Sequence, residues 1–299
     1  MRTPFTGVGT ALVTPFTRTG DVDEVAVRRL GRRQIDAGVH FLCPCGTTGE
    51  NPTLTDAERM RIIEILVEES NGKTPILAGA GGYDTRKLIT MAGEMARRGA
   101  SGFLSVTPYY NKPTQEGLYQ HYRAFAESTQ LPIVVYSVPG RTGVNVEPAT
   151  IARLATIPNI VGVKEASGNV GQMAEILNVV PKDFLVLSGD DSLTLPLMAI
   201  GGRGIISVAG NEIPSEMAQM VEAAERNDFA AARAIHARIL PLLSVNFVES
   251  NPQPVKYAMA AMGLLEENYR LPMVPPSAAS KEKINGVLKS LGLLKGALV

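Results

Sequence analysis

The stretch Ile160-Val161-Gly162-Val163-Lys164-Glu165-Ala166 is apolar until it reaches a lysine, and runs of this kind decide the fold. Other apolar or β-branched runs recur along the chain, and segments with helical spacing separate most of them. Few of the runs alternate apolar with polar residues, which is typical of parallel strands covered on both faces. The predicted strands are 8–16, 40–45, 75–80, 102–108, 132–138, 160–166, 184–188 and 204–208.

Amphipathic segments predict helices between these strands. Thr55 and Glu58 form a capping-box pattern at the start of one helix, and Gly99 is a stop signal after a helix at 84–98. Further helices are predicted at 116–128, 148–155, 171–179 and 214–227. Eight strands that alternate with helices favour an α/β fold, the (β/α)8 TIM barrel. A doubly wound open sheet is the alternative, but the sequence has no Rossmann fingerprint and no P-loop.

The pattern changes after residue 227. Helical spacing at 229–248, 254–264 and 280–294 continues with no strand pattern between these segments. We therefore predict two parts: a (β/α)8 barrel that carries the active site over residues 1–230, and a C-terminal helical region over residues 231–299.

Composition and charge argue against several classes of protein. Lys+Arg and Asp+Glu both number 29, so a nucleic-acid partner, which usually demands a basic excess, is not expected. No apolar run approaches the roughly 20 residues that cross a bilayer, and the start has no apolar signal region, so we expect a cytoplasmic protein without membrane contact. Cys43 and Cys45 cannot build a disulfide framework, which fits a reducing compartment. No HExxH or paired CxxC motif occurs, so no metal site is expected.

Lys164 is the most informative candidate for chemistry, because the active sites of (β/α)8 barrels lie at the carboxyl ends of the strands. Within an apolar strand, loss of hydration favours the neutral amine, which is the form that attacks a carbonyl. A lysine activated in this way forms Schiff bases. The structural alternative is a buried ion pair with Glu165, although neighbours in a strand point to opposite faces.

Polar groups at the ends of other strands fit the same chemistry. Tyr136 ends the strand that precedes Lys164 in barrel order, and a phenol there can shuttle the protons of imine formation and hydrolysis. A buried tyrosine bonded to the backbone is the alternative interpretation. Thr47 and Thr48, which glycines flank, offer hydroxyl and backbone N–H groups to a small carboxylate, although an ordinary turn would also explain them.

Several strand-end motifs occur in one order along essentially the whole chain. They are 46–50 (GTTGE), 107–111 (TPYYN), 136–143 (YSVPGRTG), 162–169 (GVKEASGN), 188–191 (SGDD) and 251–256 (NPQPVK). Together they resemble the motifs of the dihydrodipicolinate synthase/N-acetylneuraminate lyase family. The resemblance implies a class I, pyruvate-dependent aldolase on a TIM barrel.

The resemblance implies a role for each matching residue. Lys164 would form the imine with pyruvate, and Tyr136 would transfer protons above it. Thr48 would link Tyr136 to Tyr110 in a hydrogen-bonded relay, and Thr47 and Thr48 would hold the pyruvate carboxylate. In the family, the residue that matches Tyr110 enters the site from a neighbouring subunit, which implies a homodimer or a homotetramer built as a dimer of dimers.

Arg141 indicates the second substrate. Its loop is similar to that of the synthase branch of the family, in which this arginine binds the carboxylate of L-aspartate 4-semialdehyde, and a guanidinium suits a carboxylate bidentately. Gly189 would line the pocket for this substrate, and the backbone carbonyl of Ile206 would border the site. The implied reaction condenses pyruvate with the semialdehyde to 4-hydroxy-tetrahydrodipicolinate, toward diaminopimelate and lysine. It needs no metal or cofactor, because the imine nitrogen is the electron sink.

Two alternatives stay open. A sister aldolase that acts on 2-keto-3-deoxy sugar acids would share Lys164, Tyr136 and the threonine pair and would differ in the Arg141 loop. A silent barrel that only binds a keto acid or a partner is the non-enzyme alternative, although such a relative would be expected to have lost one of these groups.

The chain also departs from the family pattern. Ser137 stands where members very often have Asn, which bears on the substrate. Lys87 stands where lysine-inhibited members carry a glutamate, in a segment that includes Tyr83, and Asp56 and Arg59 stand where inhibited bacterial members often have histidines. Because a cation at position 87 would repel the ammonium group of lysine, we predict weak or absent inhibition by lysine.

Overall fold

Eight parallel strands form the centre of the protein in the computed structural model, which describes residues 3–294. The strands pair in the order β2-β1-β8-β7-β6-β5-β4-β3. A parallel bridge between Leu42 and Ile76 joins the two ends of this order. The ring is therefore closed, which confirms the predicted TIM barrel and excludes the open sheet. The strands are β1 (Gly7–Ala11), β2 (Phe41–Cys43), β3 (Leu77–Gly79), β4 (Gly102–Val106), β5 (Ile133–Ser137), β6 (Ile160–Glu165), β7 (Leu185–Ser188) and β8 (Gly204–Ser207).

Helices follow the strands, and every predicted helix is present with its bounds shifted by a few residues. Thr55 caps its helix as predicted, since its Oγ1 accepts from the Glu58 N–H at 3.2 Å and its own N–H donates to the Glu58 carboxylate at 2.8 Å. The helices described are α1 (Glu24–Asp36), α2 (Asp56–Ser70), α3 (Thr85–Arg97), α4 (Gln115–Glu127), α5 (Pro139–Thr142), α6 (Pro148–Leu154), α7 (Val170–Val179), α8 (Thr194–Ala199), α9 (Pro214–Glu225), α10 (Phe229–Val245), α11 (Gln253–Ala261) and α12 (Ala278–Ser290).

The sequence did not predict α1, nor the short helices α5 and α8. Helix α1 begins after Asp23, whose carboxylate accepts from the Ala26 N–H at 2.9 Å. Its buried face contains Val27 and Leu30 as its large apolar residues, while charged residues occupy much of the remainder. These buried positions recur at helical spacing, so the periodic signal for α1 is present in the sequence and was overlooked there.

Alternation along the strands decides which side chains face the barrel interior. Tyr136 and Ile206 belong to the inner cluster, together with Phe41, Leu104 and Leu187. Lys164 on β6 is the register partner of Tyr136 on β5. Because laterally paired residues of neighbouring strands point to the same face, Lys164 also points inward.

The C-terminal helices share a core with the barrel. One apolar cluster joins Val8 and Ile205 of the strands to Leu242 of α10 and to Ile284 and Leu288 of α12. The division near residue 230 stays a prediction, and this shared cluster lies on both sides of it. Among residues 3–294, no helix combines the length and the apolar character that crossing a membrane requires.

Candidate active site

Lys164 lies inside the barrel against an aromatic ring. Its Nζ is 4.3 Å from the centroid of the Tyr136 ring, and its side chain belongs to a residue only 5% exposed. Within residues 3–294, the buried lysine that has a carboxylate partner is Lys256, and no ion pair includes Lys164. The structure thus brings together the two residues that the sequence predicted for imine chemistry, and it leaves the amine without a counter-ion from the described chain.

Glu165 does not pair with Lys164. Its buried carboxylate accepts from Gln172 Nε2 at 2.8 Å and from the Ser167 N–H at 3.2 Å. Burial raises the pKa of Glu165, an effect that these hydrogen bonds oppose. The structure therefore excludes the Lys164–Glu165 ion pair that the sequence left as the alternative.

Ser137 belongs to the same outer network as Glu165. Its hydroxyl donates to Asn145 Oδ1 at 3.4 Å and accepts from the Val146 N–H at 3.2 Å. Asn145 in turn donates to Gln172 at 2.7 Å. This departure from the family pattern therefore lies in the network that supports the loop after α5.

The threonine pair lies in the loop after β2. Thr48 is buried, and its Oγ1 accepts a hydrogen bond from Asn251 Nδ2 at 3.0 Å. Within the described residues, Thr48 makes no hydrogen bond to Tyr136. The relay that the resemblance implies is thus not assembled by residues 3–294 of one chain.

Tyr110 projects away from its own chain. It is 90% exposed and has a φ of 68°, in the left-handed region that is uncommon for residues other than glycine. The neighbouring Asn111 side chain donates to the Tyr83 carbonyl at 3.1 Å, and the Tyr83 and Tyr109 rings meet edge to face at 5.3 Å. This loop therefore presents Tyr110 to the surroundings rather than to the barrel of the same chain.

Arg141 and a cavity complete the arrangement. A cavity of about 220 Å³ is lined by Thr47, Tyr136 and Arg141, by the further polar residues Asn51, Tyr109 and Thr142, and by glycine, cysteine and apolar residues. Arg141 lies on α5, is itself exposed, and donates through Nη2 to the Asn251 carbonyl at 3.2 Å. Because this volume is below the usual range for drug-sized ligands, the cavity suits a small substrate.

The residues that line this cavity do not include Lys164, Thr48, Gly189 or Ile206. The Gly189 N–H donates to the Glu165 carbonyl at 2.7 Å, and a Cβ at this position would lie 2.5 Å from the Cβ of Ala166. Glycine is thus required there for the close packing of β6 against β7. The Ile206 side chain is fully buried in the barrel interior.

The two cysteines are buried in different places. Cys43 lies in the inner cluster, whereas Cys45 follows the end of β2 with a φ of 58° and packs in an outer cluster. Burial raises the pKa of each thiol to about 12, so both are neutral thiols at ordinary pH.

Sequence reasoning missed Asn251 and the buried pair of Lys256 with Glu50. Lys256 Nζ lies 2.6 Å from Glu50 Oε1, and both side chains are buried. Burial lowers the pKa of Lys256, while Glu50 opposes this shift. The signals for these residues were the motifs 46–50 and 251–256, which the resemblance included without assigning a role to Glu50, Asn251 or Lys256.

The fold and the site define a class of protein: a (β/α)8 barrel with a buried lysine at a strand end, set against a tyrosine ring and close to a small cavity. Comparisons with known proteins narrow that class. The sequence model of the Dihydrodipicolinate synthetase family matches residues 4–291. The chain is 51% identical over 294 residues to the 4-hydroxy-tetrahydrodipicolinate synthase of Koribacter versatilis, with 98% of each protein covered.

Solved structures agree. Dihydrodipicolinate synthase from Aquifex aeolicus superposes with a TM-score of 0.95 at 42% identity, over 98% of this chain and 100% of that chain. The chloride-inhibited synthase from Acinetobacter baumannii, complexed with pyruvate, gives a TM-score of 0.95 at 40% identity, over 97% of this chain and 99% of that one. The chain belongs to the dihydrodipicolinate synthetase family, and the resemblance stated from its motifs is confirmed.

Proposed function

We propose that Lys164 carries the chemistry of this family in the chain. As a family member 51% identical to a 4-hydroxy-tetrahydrodipicolinate synthase, the chain catalyses the condensation of pyruvate with aspartate semialdehyde in lysine biosynthesis. The observation that supports Lys164 most strongly is its position: inward-facing, 5% exposed, and 4.3 Å from the Tyr136 ring.

The proposed reaction begins with attack of the Lys164 amine on the keto carbon of pyruvate, followed by loss of water to give an imine. Loss of a methyl proton then gives an enamine, since the imine nitrogen accepts the electron pair. The enamine carbon attacks the aldehyde of aspartate semialdehyde, and the aldehyde oxygen takes up a proton. The amine of this substrate finally displaces Lys164, which closes the ring and frees the enzyme. Tyr136, beside the amine, is the proposed proton carrier for these steps.

The remaining groups are proposed to bind the substrates. Thr47 and Thr48 hold the pyruvate carboxylate with hydroxyl and backbone N–H donors, and Arg141 binds the carboxylate of the semialdehyde. Gly189 and the backbone of Ile206 border the site in this proposal. Thr47 and Arg141 support it directly, because they line one cavity with Tyr136.

The role of Arg141 is tested by Arg141→Ala. The loss of a charge-assisted hydrogen bond is expected to lower kcat/KM for the semialdehyde about 10- to 100-fold, while trapping of pyruvate on Lys164 by borohydride continues. Steady-state kinetics and mass spectrometry measure the two effects separately. Unchanged turnover of the semialdehyde would show that the assigned role is wrong. Assays with 2-keto-3-deoxy sugar acids, run side by side, distinguish the sister aldolase.

A homodimer, or a homotetramer built from two dimers, is proposed because Tyr110 projects away from its own barrel. In such an assembly, Tyr110 of one subunit would complete the Thr48–Tyr136 relay of its neighbour. Subunit mixing tests this arrangement. Lys164→Ala and Tyr110→Ala chains, each nearly inactive alone, are expected to regain about a quarter of wild-type activity when refolded together, since half the dimers are hybrids with one complete site. If Tyr110 acts within its own chain, mixing restores no activity.

Inhibition by lysine is proposed to be weak or absent. Lys87 and Asp56 line a cavity of about 460 Å³ between α2 and α3. Arg59 lies beside it, 3.6 Å from Asp56. The ammonium group of Lys87 would repel that of lysine. Half-inhibition of the purified enzyme by sub-millimolar lysine would contradict this proposal.

The cytoplasmic location expected from the sequence also stays a proposal.

A further inference from the structure

Asn251 contacts two loops of the candidate active site. Its side-chain Nδ2 donates to Thr48 Oγ1 at 3.0 Å, and its backbone carbonyl accepts from Arg141 Nη2 at 3.2 Å. Thr48 follows β2 and Arg141 follows β5, whereas Asn251 precedes α11 in the C-terminal helical region. One residue, only 4% exposed, thus joins the proposed pyruvate-binding loop to the proposed semialdehyde-binding arginine.

The hydrogen bond from Asn251 limits what the Thr48 hydroxyl can do. A hydroxyl has one proton to donate and two lone pairs to accept with. Because Thr48 Oγ1 accepts from the amide, its proton has to be directed elsewhere. Within residues 3–294, the Thr48 hydroxyl makes no second hydrogen bond, so its proton remains available to a substrate or to the tyrosine relay.

The side-chain oxygen of Asn251 is a second relevant atom. Asn251 Oδ1 is buried and has no hydrogen-bond partner within the described residues. An unpartnered buried acceptor costs free energy, and such groups call for an explanation when they occur beside a functional residue. In this structure Asn251 leaves its Oδ1 without a partner among residues 3–294 and, in the same orientation of the amide, donates a hydrogen bond from Nδ2 to Thr48 Oγ1.

The segment around Asn251 is held in place from several sides. Gln253 donates to the Val274 carbonyl at 2.6 Å, and the Tyr269 hydroxyl donates to the Gln253 carbonyl at 3.0 Å. On the same helix, Lys256 pairs with Glu50 at 2.6 Å, two residues after Thr48. The C-terminal region is therefore tied to the loop after β2 at two points, which fixes the direction from which Asn251 approaches Thr48.

We propose that Asn251 is a positioning residue that fixes Thr48 as a hydrogen-bond donor toward the active site. This proposal rests on the proposed roles of Thr48 and Arg141 in substrate binding and proton transfer. Asn251 acts through Thr48. Its backbone carbonyl also accepts a hydrogen bond from the Arg141 guanidinium, so the same residue fixes the position of Arg141 relative to Thr48.

Two substitutions separate this role from simple packing. Asn251→Ala removes the amide and is expected to lower kcat about tenfold, the effect of one lost hydrogen bond. Asn251→Asp keeps the size of the side chain, but its carboxylate accepts a hydrogen bond from the Thr48 hydroxyl and so reverses the direction of the hydrogen bond. We expect kcat of the aspartate variant to fall at least about tenfold below that of the alanine variant. It should recover toward low pH, where a protonated aspartate can donate.

A packing role predicts the opposite order, since Asp fills the space of Asn and Ala leaves a gap. An aspartate variant at least as active as the alanine variant would therefore overturn the proposal. Asn159→Ala is the matched control, because Asn159 donates to the Ala126 and Thr129 carbonyls before β6, at the other end of the barrel. This control is expected to keep wild-type kcat.

A double-mutant cycle with Thr48→Val provides a test that does not need the aspartate variant. If Asn251 acts through Thr48, adding Asn251→Ala to Thr48→Val lowers kcat by less than about twofold further. If the double variant instead loses kcat by the product of the two single-variant factors, Asn251 does not act through Thr48 and the proposal is overturned.

Borohydride trapping of pyruvate on Lys164, measured in every variant, distinguishes this proposal from the one on which it rests. If all variants trap pyruvate equally but kcat of the aspartate variant is at least that of the alanine variant, only the proposed role of Asn251 is overturned. Absence of the Lys164 adduct in the wild-type chain overturns the proposed function as well.

Discussion

Two buried lysines of this chain each lie against an aromatic ring, and one of them has a carboxylate partner. Lys164 Nζ is 4.3 Å from the centroid of the Tyr136 ring, and Lys256 Nζ is 4.3 Å from that of Phe16. Lys256 also has Glu50 at 2.6 Å, whereas no carboxylate of residues 3–294 pairs with Lys164. The difference lies in the counter-ion and not in the burial.

This comparison shows how the fold assigns different roles to one residue type. The carboxylate of Glu50 fixes the ammonium group of Lys256, so that residue holds the C-terminal helices against the loop after β2. A buried pair of this kind is costly to break, because the remaining charge is left without a partner. Lys164 has no such partner, so its amine is available to form a covalent bond with a carbonyl.

The largest expected effect is a loss of activity on removal of the Lys164 amine, which pairs with no carboxylate of residues 3–294. Lys164→Met should lower kcat/KM by at least about 10⁴-fold, the order seen when a covalent nucleophile is lost. The free energy of unfolding should change little, because an apolar chain of similar length replaces an unpaired amine inside the barrel. Kinetics and urea unfolding measure the two quantities. Substantial residual turnover would contradict the assignment of Lys164.

Replacement of Lys256, which pairs with Glu50, is expected to lower the stability of the fold instead. Lys256→Met leaves the buried Glu50 carboxylate without its cation, and it should lower the free energy of unfolding by about 3–5 kcal/mol. Adding Glu50→Gln removes the stranded charge and should restore part of this loss. The measurement is urea unfolding at one protein concentration. If Lys256→Met is as stable as the wild type, the pair does not hold the region together.

The smallest effect concerns a buried carboxyl that has an amide partner instead of a cation. Glu212 Oε2 accepts from Asn246 Nδ2 at 2.5 Å, and neither Glu212 Oε1 nor Asn246 Oδ1 has a hydrogen-bond partner among residues 3–294. Burial raises the pKa of Glu212 well above its usual value; the hydrogen bond from Asn246 opposes this shift, nearby Asp191 adds to it, and Arg33 opposes it. A protonated Glu212 can donate from Oε1 to the free oxygen of Asn246.

The sign of the pH dependence follows from this raised pKa. The folded state holds the proton more tightly than the unfolded state, so the stabilisation is complete below about pH 4.3 and is lost as the pH rises toward the folded pKa. The slope from this one group is at most about 1.4 kcal/mol per pH unit. Glu212→Gln should flatten the profile, because an amide keeps both hydrogen bonds without titrating. Urea unfolding at several pH values measures the slope, and an unchanged profile in Glu212→Gln would contradict this account.

The sequence alone predicted the barrel and the central pair of the site. Most strands are largely apolar runs, and a lysine or a tyrosine at the end of such a run differs clearly from its neighbours. Helix α1 was missed although its buried residues recur at helical spacing.

Contacts between distant parts of the chain were not predictable. Asn251 and Thr48 are separated by 203 residues, and Lys256 and Glu50 by 206, so no local pattern indicates that they meet. The same holds for the orientation of Ser137, which depends on its contacts with the loop that contains Asn145 and Val146.

Trapping the imine is the most direct test of whether Lys164 forms the covalent intermediate with pyruvate. The purified chain is incubated with pyruvate, reduced with borohydride and digested, and the modified peptide is sequenced by mass spectrometry. We expect one reduced pyruvate adduct, on Lys164, with Lys256 unmodified. An adduct on another lysine, or no adduct at all, would contradict it.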